Sequence, residues 1–165
     1  MEFYRTKRLI IRNVDEKDVP IIYDYRNNEI CARYQRGQVK ALREIQNLVE
    51  TRTNDVISVS SDFMLAVALK DSDEMVGEIV VMPNDGCISL GYTFSYKHHR
   101  KGYAFEALSI LIEELHTAYP DWEFISFTES QNKASIALLE KLGYTHLCYS
   151  EKLDSEVYGK WVKET

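Results

Sequence analysis

The chain has 165 residues, of which 45% are apolar, 28% are charged and 12% are aromatic. This composition is typical of one folded domain with a hydrophobic core, and it excludes a disordered or collagen-like chain and two full-sized domains. Twenty Lys and Arg residues against twenty-six Asp and Glu residues give a net charge of -6, which argues against a nucleic-acid partner.

The cysteines, histidines and apolar segments limit the class of protein further. Cys31, Cys87 and Cys148 are widely spaced, and the four His residues have no metal-binding spacing. We therefore expect no disulfide framework and no metal site. Because the chain lacks the apolar stretch of a signal peptide or of a membrane span of roughly 20 residues, we expect a cytoplasmic protein with no membrane partner.

In chain order, the pattern of apolar residues predicts about seven strands and four helices. The predicted strands cover residues 9–12, 63–69, 75–82, 87–94, 123–128, 144–149 and 157–162. The predicted helices start near Val19, cover about 41–51, extend from Gly102 to before Pro120, and cover 133–142. Short, turn-rich links between the middle strands indicate an antiparallel meander. We therefore expect one α/β domain over residues 1–165, with a mixed, mostly antiparallel sheet flanked by helices.

A basic turn between the strand 87–94 and the longest helix is the most informative segment. Residues 96–104 are Tyr-Lys-His-His-Arg-Lys-Gly-Tyr-Ala. A helix N-terminus exposes unpaired backbone N–H groups and about half a positive charge, and Gly102 lets the backbone approach an anion closely. From this stretch alone, a phosphate site and a solvated basic loop are equally good interpretations.

Four segments together carry a resemblance to a known family. They are Thr-Lys-Arg-Leu-Ile-Ile-Arg at 6–12, Gly-Tyr at 91–92, Lys-Gly-Tyr-Ala-x-Glu-Ala at 101–107, and Asn-x-x-Ser-x-x-x-x-Glu-Lys-x-Gly-Tyr at 132–144. In this order and spacing they closely resemble the GCN5-related N-acetyltransferases (GNAT), and more narrowly the RimJ/RimL-like branch, which acetylates ribosomal-protein N-termini and related amines. The resemblance implies a GNAT-like domain in which strand 87–94 splays from its parallel neighbour, 123–128.

The resemblance also implies acetyl-CoA as the acetyl donor. Its pyrophosphate would be held by the backbone amides of the turn, which are contributed by His99, Arg100, Lys101, Gly102, Tyr103 and Ala104. His99 replaces the Gln or Arg of most relatives, and Arg100 stands where this branch often has Gly. If the backbone there has a positive φ, Arg100 has a steric cost that Gly avoids.

Further cofactor contacts follow from the same resemblance. The pantetheine arm would enter the gap beside Thr93, Phe94 and Ser95 and pair with exposed strand amides. Asn132 matches a residue that contacts the pantetheine or orients the site. Asn132 is equally suited to cap the helix that follows it, and both roles are compatible.

Acetyl transfer to an amine needs a path for the amine proton, stabilisation of the carbonyl oxygen and protonation of the leaving thiolate. The resemblance implies direct attack without a covalent enzyme intermediate. Many relatives have a Tyr acid where this chain has Leu139, and the branch points instead to Ser135 as the donor to the thiolate; the alternative is a helix residue without chemistry. Glu78, an acidic residue inside an apolar strand, is the candidate base, with an outward-facing carboxylate as the alternative.

Three residues, Tyr34, Tyr92 and Glu29, are further candidates for lining the amine pocket, whereas Glu106 is expected to make a structural contact. The resulting hypothesis is an acetyl-CoA-dependent N-acetyltransferase whose acceptor is a primary amine, either a protein N-terminus or a small amine. A non-catalytic acyl-CoA-binding or regulatory domain of the same fold is one alternative. A binder of a single phosphate group is another, but it leaves residues 132–144 unexplained. The sequence leaves the amine and a homodimeric state open.

Overall fold

The computed structural model describes residues 1–164, which form eight strands and five α-helices. In chain order they are β1 (Glu2–Arg5), β2 (Leu9–Arg12), α1 (Val19–Arg26), α2 (Glu29–Ala32), α3 (Leu42–Arg52), β3 (Phe63–Leu69), β4 (Met75–Asn84), β5 (Cys87–Phe94), α4 (Tyr103–Ala118), β6 (Glu123–Thr128), α5 (Lys133–Lys141), β7 (Thr145–Ser150) and β8 (Ser155–Lys160). The mixed α/β class is confirmed, and each predicted element has a counterpart in the structure.

The strands lie in one sheet in the order β1-β2-β3-β4-β5-β6-β8-β7. Every neighbouring pair is antiparallel except β5 and β6, which are parallel. The parallel pairing is short, because only Cys87 with Glu123 and Ile88 with Phe124 are in register. Beyond these two pairs the strands diverge, and they leave a gap in the middle of the sheet.

The sheet separates two hydrophobic clusters. Along β3, Leu65 and Val67 face α4 and α5, whereas Met64 and Ala66 face α1 and α3. This alternation follows from the two-residue period of a strand. The predicted apolar face of α4 is buried against the first cluster. Helices therefore cover both faces of the sheet, and the gap between β5 and β6 lies between the two layers.

The sequence did not predict two short elements, and it misplaced the last strand. β1 has four residues, half-exposed or exposed, without an alternating pattern, and α2 is one turn capped by Asn28. Neither is long enough to produce a clear periodicity. β8 covers Ser155–Lys160 rather than 157–162, because Trp161 has a φ of 53° and ends the strand.

Among the described residues, no helix has both the length and the apolar character needed to cross a membrane.

Candidate functional site

A cleft of about 310 Å³ lies where β5 and β6 diverge. Its walls come from the two strands, from the first half of α5 and from the loop that follows α2. The lining includes Gln35, Leu90, Gly91, Tyr92, Ser126, Thr128, Asn132, Ser135 and Leu139. The cleft thus joins segments that are far apart in the sequence, and it occupies the position at which the splayed pair was expected.

The end of β5 turns part of its backbone toward this cleft. The Ser95 N–H donates to the Val76 carbonyl of β4 at 2.8 Å. Because residues of an antiparallel pair alternate in the direction of their peptide groups, those of Tyr92 and Phe94 face away from β4 and toward the gap. An extended ligand in the gap would therefore meet the strand backbone of these two residues.

Three side chains hold the carbonyl groups at the same strand end. Gln35 Nε2 donates to the Tyr92 carbonyl at 3.0 Å. The Phe94 carbonyl lies 2.7 Å from His99 Nε2 and 3.4 Å from Cys31 Sγ. The His99 ring therefore connects the basic turn to β5. Gln35 lies in a polar segment whose sequence gave no signal for this contact.

The side chains of Thr93, Phe94 and Ser95 are all buried. Thr93 Oγ1 accepts a hydrogen bond from Gln38 Nε2 at 2.9 Å, and Ser95 Oγ accepts one from the Lys97 N–H at 3.3 Å. Of these three residues, only Phe94 directs its peptide groups into the gap. The side chains of the three residues are therefore committed to the fold, and a contact with the pantetheine arm would use the backbone.

The basic turn before α4 has the backbone of an anion site. Arg100 and Gly102 have φ angles of 63° and 78°, both in the left-handed region. Arg100 therefore adopts the strained conformation that Gly avoids. Gly102 is the N-cap of α4, and no side chain caps the helix start. The first N–H groups of α4, beginning at Tyr103, are thus available to an anion.

Arg8 anchors this turn, a role that the sequence did not assign. Arg8 Nη1 donates to the Lys101 carbonyl at 2.7 Å, and Arg8 Nε donates to Glu106 at 2.8 Å. The guanidinium also lies over the Tyr103 ring, 4.6 Å from its centroid. Because Arg8 is paired with Glu106, the excess positive charge of the turn comes from Arg100 and Lys101, in a chain whose net charge is -6.

Glu106 makes the structural contact expected of it. It accepts hydrogen bonds from Thr6, from the Arg8 backbone N–H and from the Arg8 side chain. Partial burial acts to raise the pKa of Glu106, but the hydrogen bonds from Thr6 and Arg8 lower it overall. Glu106 is therefore a charged clamp between the β1–β2 turn and α4.

Asn132 and Ser135 lie together at the start of α5. Asn132 is the N-cap, and its Oδ1 accepts a hydrogen bond from the Ser135 N–H at 3.2 Å. Ser135 Oγ lies 2.9 Å from the hydroxyl of Tyr92. Leu139, one turn further along α5, is buried and brings no polar group to the cleft. Ser135 and Tyr92 thus form a pair of hydroxyl groups that joins β5 to α5.

The structure does not bring Glu78 to the cleft. Its side chain lies on the α1 side of the sheet and is 1% exposed. Oε1 accepts hydrogen bonds from the Tyr25 hydroxyl and Arg26 Nε, each at 2.8 Å, and Oε2 accepts one from Arg26 Nη2 at 2.6 Å. Both interpretations of Glu78, as a base and as an outward-facing carboxylate, are corrected here: it is half of a buried ion pair.

The loop after α2 closes one side of the cleft. The Tyr34 hydroxyl donates to the Gln131 carbonyl at 3.1 Å, and Arg36 donates to the Leu153 carbonyl at 2.7 Å. Arg36 also pairs with Glu129 at 3.4 Å. Tyr34 and Tyr92 therefore line the cleft, whereas Glu29 is exposed on α2 and lies outside the lining.

No group of three or more His, Cys, Asp or Glu side chains within residues 1–164 has the geometry of a metal site.

Comparisons with known proteins match most of the chain to one family. The family model described as "Acetyltransferase (GNAT) domain" matches residues 8–145. A relative from Bacillus subtilis, described as the uncharacterized N-acetyltransferase YnaD, is 26% identical over 140 residues, which cover 84% of this chain and 79% of that protein.

Two solved structures show the same fold. An acetyltransferase of the GNAT family from Bacillus anthracis superposes with a TM-score of 0.81 at 22% identity, over 96% of each chain. RimL, a ribosomal L7/L12 alpha-N-protein acetyltransferase in complex with coenzyme A, superposes with a TM-score of 0.79 at 15% identity, over 97% of each chain.

Proposed function

The chain belongs to the GNAT family of acetyltransferases and is an N-acetyltransferase that uses acetyl-CoA, and we propose that its acceptor is a primary amine, which attacks the thioester directly. One observation carries the proposal. The cleft between β5 and β6 follows the end of β5, where the Phe94 carbonyl lies 2.7 Å from His99 Nε2 of the basic turn that leads to the uncapped N-terminus of α4. An extended thiol ester with a phosphorylated end matches both parts of this site.

The turn supplies the contacts for the phosphate end. The backbone amides of His99, Arg100, Lys101, Gly102, Tyr103 and Ala104 would hold the pyrophosphate. Arg8 supports them by fixing the Lys101 carbonyl away from the anion. The side chain of His99 is hydrogen-bonded to the Phe94 carbonyl, so we assign the contact of His99 with the pyrophosphate to its backbone amide. We infer that backbone geometry, more than side-chain charge, determines affinity.

The pantetheine arm would lie along the end of β5, where the peptide groups of Tyr92 and Phe94 face the gap. Asn132 fixes the start of α5 on the opposite wall. The thioester would then lie near Ser135, with a strand N–H available to the carbonyl oxygen as negative charge develops.

The proposed reaction is a direct transfer. The amine nitrogen forms a bond to the acetyl carbon, and the bond from that carbon to sulfur breaks. The nitrogen loses one proton to water in the cleft, and the sulfur receives one from the Ser135 hydroxyl, which regains a proton from water. We assign no cysteine nucleophile, because Cys31 Sγ is buried against the Phe94 carbonyl and neither Cys87 nor Cys148 is among the residues that line the cleft.

The acceptor would be a peptide N-terminus or a small amine. RimL shares the fold and acts on the N-terminus of a ribosomal protein. A neutral amine is required for attack, and among the described residues that line the cleft the one carboxylate, Glu129, is paired with Arg36. We therefore expect the rate to rise with pH, as the ammonium form of the acceptor in solution is converted to the neutral amine.

The test of this mechanism combines two measurements. Incubation with acetyl-CoA alone should leave the intact mass of the protein unchanged, whereas an acetylated protein would contradict direct attack. Ser135→Ala should lower kcat on the true amine by about 10². Thr117→Ala, at the exposed end of α4 outside the cleft, is the control and should leave kcat unchanged. Wild-type kcat in Ser135→Ala would remove Ser135 from the mechanism.

A further inference from the structure

The hydroxyl of Tyr92 is partly buried in the cleft wall and contacts a single group. Its oxygen lies 2.9 Å from Ser135 Oγ, and within residues 1–164 it has no other hydrogen-bond partner. The two residues are 43 positions apart, on β5 and α5, which form opposite walls of the cleft. The contact therefore fixes Ser135 from across the gap.

The number of protons on the two hydroxyls limits what this contact can do. Each carries one proton, so only one of them donates in the bond that joins them. If Ser135 donates to Tyr92, its proton is not available to a leaving thiolate. If Tyr92 donates to Ser135, the Ser135 proton remains free to point into the cleft. A phenol is a stronger acid than an aliphatic alcohol and is therefore the better donor.

The surroundings of Tyr92 keep it a neutral phenol in a fixed position. Burial raises the pKa of Tyr92, so the hydroxyl remains protonated and able to donate. Gln35 holds the Tyr92 carbonyl at 3.0 Å, which fixes the backbone from which the ring projects. Leu139 offers no polar group that could replace the phenol.

We propose that Tyr92 is a positioning residue that donates its hydroxyl proton to Ser135 Oγ and so directs the Ser135 proton toward the sulfur of the leaving thiol. The inference rests on the proposed function, because it assigns Tyr92 to the same proton transfer. Tyr92 itself does not contact the sulfur. Tyr92 makes the Ser135 hydroxyl a stronger acid, because a hydrogen bond donated to the forming Ser135 alkoxide stabilises its negative charge.

The test is a double-mutant cycle on kcat with the true amine. Tyr92→Phe keeps the ring in the cleft wall and removes only the hydroxyl. We expect it to lower kcat by about 10-fold while KM for acetyl-CoA changes less than about twofold. Combined with Ser135→Ala, it should add no further loss, because a residue that acts through Ser135 has no effect once the Ser135 hydroxyl is absent.

Tyr149→Phe is the matched control. Its hydroxyl is also hydrogen-bonded to a side chain, that of Asp154, but both residues lie outside the cleft lining, so it should leave kcat within about twofold of wild type. Ser135→Thr keeps a hydroxyl at position 135 and supplies a second variant, in which adding Tyr92→Phe should again lower kcat.

Three results would overturn the inference. They are wild-type kcat in Tyr92→Phe, a loss in the double variant equal to the product of the two single losses, and an equal effect of Tyr149→Phe. If Ser135→Ala is slow and Tyr92→Phe is not, the role of Tyr92 fails and the role of Ser135 stands. If Ser135→Ala keeps wild-type kcat, both roles fail.

Discussion

Arg26 and Glu78 form a two-point ion pair beneath the sheet, with Nε and Nη2 of the guanidinium 2.8 and 2.6 Å from the two carboxylate oxygens. Both side chains are almost fully buried, at 5% and 1% exposure. The Tyr25 hydroxyl donates to the same carboxylate, and the remaining Arg26 nitrogen donates to the Val39 carbonyl. The pair thus joins α1, β4 and the loop before α3.

Removing one partner of this pair leaves a buried charge without compensation. We predict that Glu78→Gln lowers the free energy of unfolding by about 3–5 kcal/mol, because Arg26 stays buried and charged. Urea unfolding measures the effect, with Glu44→Gln on the exposed face of α3 as the control. Unchanged stability together with loss of the rise of kcat with pH would restore Glu78 as the base.

Gly102 is predicted to contribute to acetyl-CoA binding as well as to the stability of the fold. Its φ of 78° strains any other residue, and a Cβ there would lie 3.3 Å from Arg8 Nη2. Gly102→Ala should lose about 1 kcal/mol of stability from the left-handed backbone and should also bind acetyl-CoA more weakly, since the turn must shift. Thermal unfolding and calorimetric titration measure the two effects.

Gly86 provides the matched control for that substitution. It has a φ of 82°, nothing lies near an added Cβ, and it belongs to the turn between β4 and β5. Gly86→Ala should show the same loss of stability with unchanged acetyl-CoA binding. Equal binding losses in both variants would show that the effect of Gly102 is general strain.

Arg100 is predicted to make the protein less stable than Gly would at the same position of the turn. Arg100→Gly and Arg100→Ala remove the same charge, but only Gly relieves the φ of 63°. We expect Arg100→Gly to be more stable than Arg100→Ala by about 1 kcal/mol in urea unfolding. If backbone amides carry the binding, both variants should bind acetyl-CoA about as tightly as wild type. A large and equal loss of affinity in both would assign the binding to the guanidinium.

Glu106 makes stability depend on pH in the acid range. Burial alone would raise its pKa, but the bonds from Thr6 and Arg8 lower it below the ordinary value of 4.5. A lowered folded-state pKa contributes stability above the unfolded-state value, and the contribution is lost as the pH falls through the folded-state pKa. Below about pH 4.5, Glu106→Gln should therefore lose less stability than wild type in unfolding measured against pH. Parallel curves for the two proteins would contradict the clamp.

The turn was predictable because its signals are local. The basic residues, Gly102 and the helical spacing after it lie within one short stretch, whereas the parallel splay was implied by the family resemblance. The environment of Glu78 was not predictable, because its partner Arg26 is 52 residues away. The anchor from Arg8 to the Lys101 carbonyl spans 93 residues. An acidic residue in an apolar strand indicates that a partner exists, but only the packing of α1 on the sheet identifies it.

Release of free CoA from acetyl-CoA across a panel of primary amines tests the central claim most directly. The panel should contain small amines and ribosomal-protein N-terminal peptides, each beside its N-acetylated form. The account predicts release that depends on a free amine and is absent with the blocked form. Tight acetyl-CoA binding without amine-dependent release from any acceptor would contradict it and favour a non-catalytic acyl-CoA-binding domain.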